Sequence, residues 1–245
     1  MKCFAIAFLL LSVAARAQNS IPSGTVLPVQ LNSSLISLKS KPGEKITARV
    51  MQDVPLPSSM KIRAGAKVIG HVISVNASGT GKPAEITLAF TRLNFGHRSV
   101  PISVHLRALA SMTEVEDAQV PPAGTDRGTP WAWATLNLIG GEVAYGQGGP
   151  VSRGIDTVGE ALANGVLAPL NANPSAGCPG EPDENKKPQA LWIFSSDACG
   201  IYGMADAQIA HAGRTAPIGQ ITLRSMQGNV EVRSGSGMLL RINAQ

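Results

Sequence analysis

Residues 84–106, AEITLAFTRLNFGHRSVPISVHL, decide the fold class of this chain. Apolar side chains take every second position on both sides of the loop Asn94 to Arg98. They are Ile86, Leu88 and Phe90 before the loop, and Val100, Ile102, Val104 and Leu106 after it. This alternation is the pattern of strands with one buried face. The stretch predicts a β-hairpin in a mainly β chain, with His105 on the exposed polar face.

Other segments on both sides of this hairpin also have strand patterns, some by alternation, 25–31 by its β-rich composition, and 67–75 as a run that is apolar on both faces. Further strands are predicted before it at 25–31, 45–50 and 67–75, and after it at 190–194, 208–210, 218–225, 229–232 and 237–242. Five glycines are predicted to be structural turn residues of this unit: Gly24, Gly43, Gly65, Gly70 and Gly96. The predicted fold is a barrel-like β domain over 18–112 with a Gly-rich, partly helical insertion. The C-terminal strands, 189–245, either complete the barrel or form a small neighbour.

The insertion, 113–188, is the least regular part of the sequence. Residues 112–130 are acidic and then rich in Pro and Gly, which predicts an exposed loop. Between 131 and 170, helical spacing predicts two short helices, the second from Ile155, Val158, Leu162 and Val166. These could pack on the barrel, form a mobile hairpin or a Gly-rich lid, or offer an amphipathic patch to a membrane or partner. Trp131, Trp133 and Leu138 are the candidate interface residues, because aromatic anchors dominate interfaces.

The first seventeen residues have the pattern of an export signal. Lys2 precedes a short apolar run, Phe4 to Val13, and Ala15-Arg16-Ala17 is a small-x-small cleavage site. The expected location is the periplasm or outer membrane, with an extracellular location left open. The formal charge of +5 is spread over scattered basic residues. It favours an anionic surface as neighbour and does not support nucleic-acid binding.

Two cysteines remain once Cys3 leaves with the signal. Cys178 and Cys199 would then lie in an oxidising compartment, where such a pair usually forms a bridge. The bridge would clasp a polar segment rich in Pro.

The sequence offers few candidate residues for a catalytic or cofactor site. No two of His71, His97, His105 and His211 have metal-ligand spacing on one element, and no cofactor is expected. Cys199 with His211 downstream could form the nucleophile pair of a secreted thiol hydrolase. That alternative needs a free Cys199.

Residues 23–106 resemble the C-terminal β-barrel domain of the TrbI/VirB10 family of type IV secretion and conjugation proteins. The resemblance rests on the order of Gly24-Thr25, Pro42-Gly43, Ala48 to Val54, Ile62 to Gly70, and Arg92-Leu93 with Gly96. Ala64 stands where the family has Pro. The resemblance implies an envelope scaffold that assembles into rings, with a helical hairpin inserted late in the barrel; residues 131–170 occupy the comparable place.

The function expected from the sequence is therefore an exported, non-catalytic scaffold or interaction protein. Its partners would be other envelope proteins or a second copy of the chain, with membrane contact peripheral or through the insertion. A soluble ligand-binding β-protein is a further alternative, although few aromatic residues are present to stack on a sugar.

Overall fold

The computed structural model describes residues 20–57, 60–119, 135–145, 150–153, 156–160, 178, 190–195, 198–214 and 216–244. Within them the chain is mainly β, as predicted. The strands are β1 Val26–Leu31, β2 Leu35–Ile36, β3 Lys45–Val50, β4 Val54–Pro55, β5 Lys61–Ile62, β6 Lys67–Asn76, β7 Ala84–Phe95, β8 Arg98–Pro101, β9 Val104–Ala110, β10 Thr135–Leu138, β11 Gly141–Tyr145, β12 Pro150–Arg153, β13 Asp156–Glu160, β14 Ala190–Leu191, β15 Phe194–Ser195, β16 Gly200–Tyr202, β17 Ala207–Ile209, β18 Ile221–Ser225, β19 Glu231–Val232 and β20 Gly237–Ile242. The helix α1 is Met112–Gln119.

One ten-stranded sheet forms the body of the protein. Its order is β16-β9-β20-β1-β3-β6-β7-β18-β17, and β8 pairs with β7. All neighbours in this sheet are antiparallel except β16 and β9, which are parallel. The C-terminal strands β18 and β20 therefore belong to the same sheet as the front strands. β1 pairs with β20, which brings the two ends of the described chain together.

The two end strands of the sheet follow each other in the chain. β16 and β17 are separated only by residues 203–206 and lie close together. The sheet therefore curls until its first and last strands are neighbours, which gives it a barrel-like shape. The inner face carries the core residues of every second position, such as Val29, Ala48, Val68, Leu88 and Leu240.

A second layer covers the outer face of β1, β20 and β9. A Cβ added to Gly237 in β20 would lie 3.1 to 3.2 Å from Ile193, Val115 and Trp192. These side chains come from α1 and from the hairpin β14–β15, which follows the insertion. β9 and β20 are consequently buried along their whole length.

The outer layer corrects the prediction that His105 is exposed. Only 2% of its surface is accessible, and its Nδ1 lies 2.6 Å from Oδ1 of Asn243. Alternation indicates that two faces differ in polarity. It does not show that the polar face meets water when another element of the chain packs there.

The insertion also differs from prediction. Residues 112–119 form the helix α1 rather than an exposed loop, because Ser111 caps it: Glu114 N–H donates to Ser111 Oγ at 3.2 Å. β10 to β13 form a four-stranded antiparallel sheet where short helices were predicted. Gly140, with φ +84°, makes the turn between β10 and β11. The predicted helical residues Ile155, Leu162 and Val166 lie outside the described residues, while Val158 lies in β13.

Two predicted strands are divided in the structure. Residues 190–194 form the hairpin β14–β15, because Trp192 adopts φ +58° at the turn. The predicted strand from Val100 to Leu106 is split into β8 and β9. β8 stays paired with β7, whereas β9 leaves to pair with β20.

Candidate functional site

A cleft lies between the two end strands of the sheet. It has a volume of about 670 Å³ and is lined mainly by Ile201, Met204, Ala205, Ala207, Gln208 and Ile209. A second cavity of about 170 Å³ reaches Leu109, Leu223 and Val230. The two cavities share Ile201, Met204, Ala205 and Ala207.

The two strands that border the cleft each have one unpaired edge. Among the described strands, β16 pairs only with β9 and β17 only with β18. Backbone N–H and C=O groups on the free edges are available to an added strand. No charged side chain lines the cleft among the described residues, and Gly200, Gly203 and three alanines allow another backbone to approach closely at those positions.

The disulfide cysteines hold the first residue of this cleft in place. The Sγ atoms of Cys178 and Cys199 are at disulfide distance, and their Cα atoms are 5.3 Å apart. Cys178 is buried, with its Sγ 3.5 Å from the carbonyl oxygen of Arg107 in β9. Since Cys199 directly precedes β16, the pair fixes the start of this edge strand beside β9.

Gly213 packs against the same cysteine from the opposite side of the bridge. Its φ is +69°, and a Cβ there would lie 1.8 Å from Cβ of Cys178. Its N–H donates to the carbonyl of Leu106 at 2.9 Å. The position therefore needs glycine for its conformation and for space.

Tyr202, the last residue of β16, fixes the strand through hydrogen bonds of its side chain and backbone. Its hydroxyl accepts from the Cys199 N–H and donates to the Cys199 carbonyl, both at 3.1 Å. Tyr202 O also accepts the Ser111 N–H at 3.0 Å, which ties the cap of α1 to the cleft strand. The edge strand is thus held by the bridge, by its own tyrosine and by the helix.

The hairpin β14–β15 is anchored to the main sheet through Gln52. The Trp192 N–H donates to Oε1 of Gln52, a buried side chain that follows β3. Trp192 packs edge-on against Phe194, with ring centroids 6.5 Å apart. The Ile139 N–H donates to Ile193 O at 2.8 Å, which attaches the four-stranded sheet to this hairpin.

The glycines predicted to be structural have two distinct placements. Gly24, Gly43, Gly65 and Gly96 have positive φ values in connections. Gly70 lies inside β6 rather than in a turn. It allows close approach of β7, because a Cβ at Gly70 would lie 2.1 Å from the carbonyl oxygen of Ala89.

The structure describes only one of the three candidate interface residues of the insertion. Trp131 and Trp133 lie outside the described residues. Leu138 is the last residue of β10 and pairs with Gly141. Leu138 is not among the residues that line the cleft.

The cysteine of the hydrolase alternative is the one in the disulfide. A bridged Cys199 has no thiol to serve as a nucleophile. His211 lies on the exposed turn that follows β17. A hydrolase would require the bridge to open first.

The cleft itself was missed by the sequence reasoning. Residues 200–202 carry no alternation long enough to indicate a strand, and the parallel pairing with β9 is a long-range feature. The short spacing between Cys199 and the predicted strand at 208–210 was the one available signal.

The described part of the chain shows neither a metal-binding cluster nor a membrane-spanning helix. It holds no group of three or more His, Cys, Asp or Glu placed to bind a metal. None of its helices has the length and apolarity to cross a membrane. Compared with models of protein families and with curated proteins, the chain gives no match.

Proposed function

We propose that this protein is an exported, non-catalytic scaffold or interaction module of the cell envelope, which binds an extended segment of a partner at the cleft between β16 and β17. The partner is a second copy of the chain or another envelope protein. The resemblance of residues 23–106 to the TrbI/VirB10 barrel supports an envelope role. The cysteine pair is compatible with an oxidising compartment such as the periplasm.

The observation that carries the proposal is the pair of facing free edges. A strand edge binds an extended segment through main-chain hydrogen bonds, and pockets beside it select side chains. Here the edges border an uncharged cleft of mixed polarity that is large enough for several side chains. The edge of β16 is fixed beforehand by the disulfide and by Tyr202, and β17 is fixed by its pairing with β18, which lowers the entropy lost on binding.

The proposal is tested by size-exclusion chromatography with light scattering on protein gently extracted from the envelope, with and without crosslinking. We expect a defined assembly larger than the monomer. Ile201→Lys places a charge in the cleft and should reduce the assembly to monomer. Ala212→Trp, which fills the cleft from the turn after β17, should do the same.

The matched control is Ile218→Lys. Ile218 is 70% exposed and lies outside the cleft lining, so the same change there should leave the assembly intact. Thermal unfolding of each variant shows whether the fold is retained. A wild-type monomer in every extract, or equal loss in the control, would contradict the proposal.

A further inference from the structure

Three exposed loops meet at one end of the sheet, and we call them the lysine tip: residues 37–41, 78–82 and 226–229. The side chain of Asn229 joins them. Its Oδ1 accepts from Ser37 Oγ at 3.1 Å, from Ser78 N–H at 3.3 Å and from Ser78 Oγ at 3.2 Å. The three loops therefore form one surface.

Two large apolar side chains project from this surface into solvent. Leu38 is 66% exposed and Met226 is 64% exposed. Leu38 lies in a turn closed by Lys39 and Ser40 N–H groups, which donate to Ile36 O at 2.9 and 2.8 Å. The fold thus holds an apolar side chain at the apex of an ordered turn, where it contributes little to the core.

The tip is basic. Lys39, Lys41 and Lys82 are exposed, and the three loops contain no acidic residue. None of these lysines forms an ion pair with any residue that the structure describes.

Two carboxylates next to the tip, those of Glu44 and Asp206, reduce this charge but leave it positive. Glu44 accepts the Lys41 N–H at 3.0 Å, and the Asp206 carbonyl accepts the Met226 N–H at 3.4 Å. Lys45 adds a further cation at the start of β3. Glu85 and Glu231 are paired with Arg224 and Arg233.

We propose that the lysine tip docks on an anionic lipid bilayer. Apolar side chains on protruding turns enter the boundary between headgroups and acyl chains, while neighbouring lysines meet the anionic headgroups. An acidic protein surface would use the lysines but would leave Leu38 and Met226 without a role. This interaction goes beyond the scaffold function and needs no partner at the cleft.

The test is co-sedimentation of the chain from Gln18, which contains every described residue, with phosphatidylglycerol/phosphatidylcholine vesicles and with phosphatidylcholine alone. We expect binding to the anionic vesicles that falls with added salt. Each lysine should contribute about fivefold in partitioning. The triple variant K39Q/K41Q/K82Q should lose roughly a hundredfold by the same rule, and L38S/M226S should also weaken binding.

The matched control is R63Q/K67Q/R92Q. It removes the same charge from exposed residues outside the tip. Equal loss in this control would mean that net charge alone drives binding and would overturn the proposal. So would equal binding to both vesicle types, full binding by L38S/M226S, or binding to soluble polyglutamate but not to vesicles. Loss confined to the tip variants supports it, whatever the state of the cleft.

Discussion

Single residues decide how closely the strands of this sheet approach. At Gly70 in β6, a Cβ would overlap the backbone of β7, and that backbone is held by its own ladder. Gly70→Ala should therefore lower the free energy of unfolding by about 1–3 kcal/mol, the usual cost of overpacking. Urea unfolding of wild type and variant measures it.

Gly79→Ala is the control for that substitution. Nothing lies within 4 Å of a Cβ at Gly79. The same added methyl should change stability by less than about 0.5 kcal/mol there. Equal losses of stability at the two positions would mean that the close approach of β7 at Gly70 is not the cause of the loss.

Asp53 gives a pH-dependent prediction. Its Oδ2 lies 2.6 Å from Lys61 Nζ and its Oδ1 accepts the Ala64 N–H at 2.9 Å, and the hydrogen bond to Lys61 lowers the pKa of this carboxyl below its ordinary 3.8. A lowered folded pKa means that the stabilisation is present above 3.8 and is lost as pH falls through the folded value. Both side chains are about half exposed, so it should not exceed about 1 kcal/mol.

Asp53→Asn should therefore be less stable than wild type at neutral pH, and the difference should vanish in strong acid. Denaturant unfolding of both proteins across this range measures it. Asp206→Asn, a carboxylate outside the ion pairs of the described residues, is the control. A difference between wild type and D53N that persists in strong acid would show that the carboxylate charge is not its cause.

Residue identity alone could not predict all such roles. The positive φ of Gly43 and Gly65 follows from their place in Pro-Gly and Ala-Gly turns, which the sequence displays. Gly70 was grouped with them, yet its role depends on the carbonyl of Ala89, on another strand. His105 shows the same limit, because Asn243, which its ring contacts, is far away in the chain.

At the scale of elements, the link between Gly213 and Cys178 joins the insertion to the sheet. Gly213→Ala should prevent a fraction of the molecules from closing the bridge, because its methyl would occupy the space of the Cys178 Cβ. Mass spectrometry after thiol alkylation, without reduction, measures the open fraction.

Gly200→Ala is the control for Gly213→Ala, because it adds backbone strain without a steric clash. Gly200 also has a positive φ, +95°, but nothing lies within 4 Å of its Cβ position. It should lose about 1 kcal/mol of stability from strain and keep the bridge closed. Comparable free thiol in the two variants would contradict the packing argument.

Elements with strong local patterns were predicted, and those stabilised by distant contacts were not. β3 alternates between buried and more accessible positions along its whole length, and β1 and β6 lie where strands were predicted. α1 was missed although Ser111 and Glu114 have capping-box spacing, because its one buried residue, Val115, gives no apolar stripe. The pairing of β16 with β9 has no local signal at all.

At the scale of the whole molecule, we expect most of the main sheet to stay folded when the disulfide is reduced. Seven consecutive strands, from β9 to β18, are joined by antiparallel ladders, while the bridge holds only the end strand β16 and the insertion. Reduction under native conditions should therefore leave the far-ultraviolet circular dichroism largely unchanged. The loss of stability should be about 3 kcal/mol, as expected for a loop closed over a separation of 21 residues.

The loss of stability on reduction should be accompanied by local opening of the chain near the bridge. Hydrogen exchange in reduced protein should rise first at β16 and the turn 203–206, while β1, β3 and β20 stay protected. A Cys178→Ala/Cys199→Ala variant should show the same pattern without reductant, which separates the bridge from side effects of the reagent. Cooperative unfolding of the entire sheet on reduction would instead mean that closure of the two sheet ends holds the fold together. The contact between β16 and β17 would then stabilise the fold, and the cleft would not be a binding site for an added strand.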